Sequence, residues 1–108
     1  MTTTAYLAKD KFNHPIQALK PSTTQTVAIS GTSAATANAL NKNIVVVRVL
    51  STTNCFIRFG TGTPTATTAD TPIVAFTPEY FRVDAQDTIK VAGIQMSAGG
   101  SLYVTEMI

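Results

Sequence analysis

The sequence is poor in charged residues, cysteine and long apolar runs, and each shortage excludes some classes of protein. Charged residues make up 13% of the 108 residues, against about 25% in typical soluble proteins. A charge-poor surface suits a protein packed against neighbours, although the preference of β-proteins for threonine explains it equally well. The single cysteine excludes an internal disulfide framework. No apolar run approaches the ~20 residues of a membrane-spanning helix.

The N-terminus and the scattered reactive residues further restrict the function. The first residues lack the apolar segment of a signal peptide, so we expect folding in a reducing cytoplasm. The only histidine, His14, precedes Pro15, where little would orient a general base. Cys55 begins an apolar strand and is predicted to be a small buried hydrophobe rather than a nucleophile. Asp84 and Asp87 flank one turn but supply too few oxygen ligands for a hard cation. We therefore expect no catalytic residue, no cofactor and no metal.

The chain is predicted to form one domain, residues 23–108, preceded by an extended N-terminal arm, residues 1–22. The arm contains Pro15 and Pro21 and follows neither the helical nor the strand period. It nevertheless carries spaced apolar anchors, which are Tyr6, Leu7, Phe12, Ile16 and Leu19. Such a segment cannot bury itself alone. We expect it to lie on its own domain or on a neighbouring subunit.

The excess positive charge of the chain lies in this arm. The first twenty residues contain three lysines and one aspartate, whereas the remainder contains five basic and five acidic residues. Any attraction to an acidic surface should therefore act through the arm. The predicted partner-binding residues are Tyr6, Leu7, Lys9, Lys11, Phe12, Ile16 and Lys20.

After the arm, short apolar segments alternate with turn signals, which is typical of an all-β protein. Strands are predicted over residues 24–30, 44–50, 55–60, 73–76, 79–83, 88–96 and 102–106. Residues 34–40 have some helical propensity but are short and interrupted, so a loop or single turn is predicted. Gly93 coincides with a change of phase and predicts a β-bulge. Together these seven or eight short strands predict an antiparallel sandwich or barrel.

Three arginines lie on three predicted strands, at Arg48, Arg58 and Arg82. They would form a basic ladder if those strands were neighbours. Because charge outside the arm is balanced, pairing with Glu79 or Asp84 is favoured over contact with nucleic acid, which normally requires excess positive charge.

Two features allow a different kind of binding. Residues 61–72 have no strand pattern and are predicted to project as a loop. Tyr80 and Tyr103 are predicted to point outward, as ring-stacking sites for sugars require. Tryptophan is absent, however, and each tyrosine also suits a sheet edge or a protein interface.

Several segments, which together cover most of the chain, are similar to those of a known family. In the domain they are residues 44–49 (IVVVRV), 55–60 (CFIRFG), 64–72 (PTATTADTP), 78–83 (PEYFRV) and 100–107 (GSLYVTEM). In the arm the segment is residues 9–19 (KDKFNHPIQAL). Together they resemble small virion structural proteins of tailed bacteriophages. The motifs are sheet and turn patterns rather than ligand sets.

The resemblance implies a jelly-roll or similar sandwich and a role in decorating or cementing the capsid lattice. It also implies two partners, the major capsid protein and other copies of this chain, in dimers or trimers. The protein would lie on the capsid exterior of the virion after assembly in the host cytoplasm, without a membrane or nucleic-acid partner. The alternative is a head-fibre or tail-associated module that binds a receptor or glycan through residues 61–72, Tyr80 and Tyr103.

Overall fold

The computed structural model describes residues 19–84 and 88–108, and the backbone of two short strands at residues 8–9 and 15–16. The strands are β1 (Ala8–Lys9), β2 (Pro15–Ile16), β3 (Pro21–Ile29), β4 (Ala34–Ala35), β5 (Val46–Ser51), β6 (Cys55–Thr61), β7 (Thr71–Ile73), β8 (Glu79–Arg82), β9 (Ile89–Gln95) and β10 (Gly100–Met107). Strands β1 and β2 pair with each other. The other eight form two antiparallel sheets, and the prediction of an all-β sandwich is confirmed.

The strand order is that of a jelly roll. The first sheet has the order β3-β10-β5-β8 and the second has the order β4-β9-β6-β7. Most connections cross from one sheet to the other, so strands that are adjacent in sequence lie in opposite layers. This arrangement of eight strands in two sheets is characteristic of jelly rolls.

The core lies between the two sheets because alternate residues of each strand point inward. On β5 the inward residues Val47 and Val49 are fully buried, while Val46 and Leu50 on the other face are only half-buried. The buried cluster contains Val27, Ile29, Leu40, Ile44, Val47, Val49, Cys55, Ile57, Ile73, Val83, Val91, Leu102 and Val104. Phe59 and Phe81 pack against this cluster with ring centroids 5.6 Å apart, one from each sheet.

The predicted bulge at Gly93 is wrong. Strands β6 and β9 pair in unbroken register from Cys55 opposite Gln95 to Thr61 opposite Ile89. Gly93 lies in the interior, where an added Cβ would come within 2.6 Å of Ile29 Cδ1. A glycine is therefore present for close packing rather than for a change in register. The irregularity in pairing lies instead between Thr105 and Met107 of β10.

The structure also revises the predicted secondary structure at the start of the domain. Strand β3 begins at Pro21, three residues before the predicted start, and Lys20 and Ile108 already exchange backbone hydrogen bonds of 2.8 Å. Residues 34–40, predicted as a loop or single turn, begin with the short strand β4, which pairs with β9. The chain then stays beside β9, because Leu40 N–H donates to the Ile89 carbonyl.

Candidate interaction surface

One end of the sandwich is formed by four connections, residues 30–33, 51–54, 74–78 and 96–99. Asn54 links two of them: its backbone carbonyl accepts from Met96 N–H at 3.1 Å, and its side-chain Oδ1 accepts from Ala75 N–H at 2.8 Å. The Ser51 carbonyl accepts from Phe76 N–H at 2.8 Å. Residues 74–78 are therefore held by one side-chain and one backbone acceptor of the adjacent turn, Asn54 Oδ1 and the Ser51 carbonyl.

The same turn is joined to the start of β10. Thr53 Oγ1 donates to the Ala98 carbonyl at 2.9 Å, and Ser101 N–H donates to Thr52 Oγ1 at 2.9 Å. Thr52 N–H returns a bond to the Ser101 carbonyl at 2.9 Å. The hydroxyl-rich turn that the sequence shows at residues 51–54 thus connects three parts of this end.

This hydrogen-bonded end exposes large apolar side chains. Val74, Phe76 and Met96 are all exposed, and Phe76 is 71% accessible to solvent. We call these three residues the apolar tip. Phe76 has a backbone φ of 58°, a left-handed conformation that bulky L-residues adopt only at an energetic cost. None of the four connections contains a charged residue, so the rim of the tip consists of hydroxyl, amide and small side chains.

Sequence reasoning did not identify the apolar tip. It assigned Phe76 to the end of a strand over residues 73–76, whereas β7 ends at Ile73. The proline at position 78 signals a turn nearby, but no local pattern indicates a positive φ at a phenylalanine. The conformation depends on the acceptor groups of Ser51 and Asn54, which are more than 20 residues away along the chain.

The outer face of the first sheet carries a second group of large side chains. Arg48 lies opposite Tyr80, and Val46 opposite Arg82, in the pairing of β5 with β8. Tyr80, Arg82 and Tyr103 are exposed and Arg48 is half-buried. Two of the three arginines of the predicted ladder are thus neighbours beside Tyr80. The third, Arg58, lies on β6 in the second sheet.

The predicted pairing of these arginines with Glu79 or Asp84 is wrong. Both arginines and both acidic residues are among the described residues, and no ion pair joins either arginine to either acidic residue. Glu79 is on the opposite parity of β8 from Tyr80 and Arg82 and is half-buried. The two arginines therefore present their charges without an acidic partner among the described residues.

The loop predicted to project instead folds back over the second sheet. An added Cβ on Gly60 would lie 3.0 Å from Pro64 Cβ, and Ala66 N–H donates to Ser33 Oγ at 2.8 Å beside β4. Ala66 and Ala92 are both buried, although Ala92 lies on the outer face of β9 by alternation with Val91. The loop and the exposed tyrosines therefore occupy opposite faces of the sandwich and do not form one site.

The arm residues predicted to bind a partner are only partly within the described chain. Tyr6, Leu7, Lys11 and Phe12 lie outside the described residues. Lys9 and Ile16 belong to β1 and β2, for which the backbone alone is described. Lys20 is exposed where the arm enters β3, at the end of the sandwich opposite the apolar tip.

The described residues contain little chemistry for catalysis or metal binding. Cys55 is buried as predicted, and desolvation raises the pKa of its thiol above the ordinary value, despite the opposing contact with Ser51 Oγ at 3.6 Å. A raised pKa lowers the thiolate fraction and hence the reactivity. Within residues 19–84 and 88–108, no three His, Cys, Asp or Glu side chains are grouped as a metal site would require. The same residues include no helix long and apolar enough to cross a membrane.

Comparison with known proteins does not identify relatives. The chain matches no family model, and neither curated proteins nor solved structures give a match.

Proposed function

We propose that the protein is a non-enzymatic virion structural protein, a capsid decoration or cement protein that binds and stabilises the head lattice of a tailed phage. The observation that carries this proposal is the exposure of large apolar and aromatic side chains on a hydrogen-bonded, charge-poor domain. Exposed apolar patches rimmed by uncharged polar groups are typical of protein interfaces. The jelly-roll order of the strands and the resemblance of the sequence to phage virion proteins support the same function.

The partners in this proposal are the major capsid protein and further copies of the chain. The arm supplies apolar area through Tyr6, Leu7, Phe12 and Ile16. Its lysines, Lys9, Lys11 and Lys20, supply complementarity to an acidic capsid exterior. A ligand that binds the assembled shell and not its separated subunits stabilises the shell by mass action.

The copy number of the protein in purified particles tests this function. Quantitative mass spectrometry should give a ratio to the major capsid protein near one, or near a simple fraction of one. A dozen copies or fewer would contradict lattice decoration and favour a portal, tail or fibre location.

The arm is tested separately from the function. Removing residues 2–18, which precede the paired Lys20, should weaken binding of the protein to shells and leave the domain folded. If the shortened protein binds shells as well as the full chain does, the arm is not the binding element.

A second candidate is a head-fibre or tail-associated module that binds a receptor or glycan. The observation that favours it is the exposure of Tyr80 and Tyr103 on one sheet face, beside two arginines that have no acidic partner in the described part of the chain. In that case Tyr80→Ala and Tyr103→Ala would each abolish binding on a glycan array without unfolding the protein. An array that stays silent for the unsubstituted protein would count against this candidate.

A further inference from the structure

At its position, Phe76 lowers the stability of the fold relative to residues that adopt the left-handed conformation easily. Its φ of 58° lies in the left-handed region, which glycine adopts freely and asparagine adopts more readily than an aromatic residue. The side chain is 71% exposed and is absent from the buried cluster. A ring that contributes little to the core and whose backbone is strained is not explained by the stability of the domain.

The surrounding structure fixes the conformation that presents the ring. Phe76 N–H donates to the Ser51 carbonyl at 2.8 Å, and Thr77 N–H donates to the Val74 carbonyl at 3.3 Å. On the N-terminal side, Ala75 N–H donates to Asn54 Oδ1 at 2.8 Å. The backbone that presents the ring is thus fixed before any contact is made, so less backbone conformational entropy is lost on binding.

The chemistry of the tip indicates the kind of partner. Val74 and Met96 are exposed on the connections that flank Asn54, which adds apolar area beside the ring. No charged residue occurs in the four connections at this end, whereas binding to anionic lipid surfaces depends on basic residues around the apolar anchor. An exposed apolar tip with an uncharged polar rim has the composition of a hot spot that fills a pocket on another protein.

From these observations we propose that the apolar tip is a preformed anchor and that Phe76 inserts into an apolar pocket of the phage shell. This inference rests on the proposed function, because the shell is taken as the partner. The tip lies at the end of the sandwich opposite Lys20, where the arm joins the domain. One molecule would therefore contact the shell at two separated places, which is what a cement between neighbouring subunits requires.

The test compares Phe76→Asn with Val45→Asn in binding to shells that lack the protein. Asparagine tolerates the left-handed conformation, so Phe76→Asn should keep or raise the urea midpoint of the full-length protein. Its affinity for shells should fall at least about tenfold, as for an interface hot spot. Val45 is a matched apolar control, since it is 46% exposed and lies just before β5, at the end of that strand away from the tip. Its substitution should leave the affinity within about twofold.

Each other outcome overturns the proposal in a distinguishable way. If both variants bind shells as the unsubstituted protein does, the tip is not the anchor and the proposed function stands. If the unsubstituted protein does not bind shells, the proposed function and the anchor fail together. A lowered urea midpoint for Phe76→Asn would show that the ring serves the fold. If Phe76→Asn loses an oligomer that the unsubstituted protein forms in sedimentation, the tip binds a second copy of the chain instead. If it loses binding to phosphatidylcholine–phosphatidylglycerol vesicles, the tip binds lipid instead.

Discussion

The two outer faces of the sandwich differ in whether their side chains contact other parts of the chain. On the second sheet, Gly60 lies against Pro64 of the 61–70 loop, Ala92 is fully buried, and the loop is anchored by Ala66 N–H on Ser33 Oγ. On the first sheet, Arg82, Tyr80 and Tyr103 are exposed, and neither Arg82 nor its neighbour Arg48 has an acidic partner within residues 19–84 and 88–108. The first arrangement contributes to the stability of the fold. The second contributes little to it and leaves large groups available to a partner.

The comparison predicts that enlarging a side chain lowers the free energy of unfolding only on the outer face of the second sheet, over which the loop folds. Ala92→Leu should lower the free energy of unfolding by about 1–3 kcal/mol, because Ala92 is fully buried and a larger side chain would have to displace its neighbours. Urea unfolding measures this change. The matched variant is Thr26→Leu, at an exposed position on β3 in the first sheet, which should change the free energy by less than about 0.5 kcal/mol. Equal effects at the two positions would mean that the loop does not cover its sheet.

A smaller effect is expected from releasing the loop. Ser33→Ala removes the acceptor of Ala66 N–H, which should lower the free energy of unfolding by about 1 kcal/mol. It should also speed proteolytic cleavage within residues 61–70. Thr68→Ala, at an exposed position of the same loop, serves as the control and should change neither property. Unaltered cleavage in Ser33→Ala would show that this hydrogen bond does not hold the loop.

The smallest effect concerns the two arginines on the outer face of the first sheet. Arg48 and Arg82 are diagonal neighbours on β5 and β8, and like charges at that spacing repel. Arg82→Gln should therefore raise the free energy of unfolding by about 0.3 kcal/mol at low ionic strength, and salt should remove the gain. Arg58→Gln, on the other sheet and opposite Ala92, should show no such gain. A loss of stability in Arg82→Gln would instead indicate that Arg82 has an attractive partner.

Local pattern was a reliable guide to which residues form the core. Alternation grouped Val47 with Val49 on one face of their strand, and both are fully buried. It also placed Phe81 and Val83 inward near β8, where Val83 is buried and Phe81 packs against the core. It failed at Gly93, where the strand keeps its alternation: the glycine takes the inward position against Ile29, and Ile94 falls on the outer side. The period of a strand is a local property, whereas the space available to a side chain depends on the facing sheet.

The candidate surfaces were less accessible to sequence reasoning. The outward direction of Tyr80 and Tyr103 followed from alternation and is confirmed. The position of the 61–72 loop did not follow, because its contacts with Gly60 and Ser33 involve different strands. The exposed Phe76 was missed, since its conformation depends on hydrogen bonds to another turn.

By itself, the sequence determined the all-β class, the inward residues of most strands and the concentration of excess charge in the arm. These properties depend on composition and on a period of two residues, which are visible along the chain. The tertiary structure alone decided that Arg48 adjoins Arg82 and not Arg58, that the loop covers one sheet, and that Phe76 is held outward. The physical reason is that strand neighbours and strained turns depend on hydrogen-bond partners far away in sequence, which no local pattern specifies.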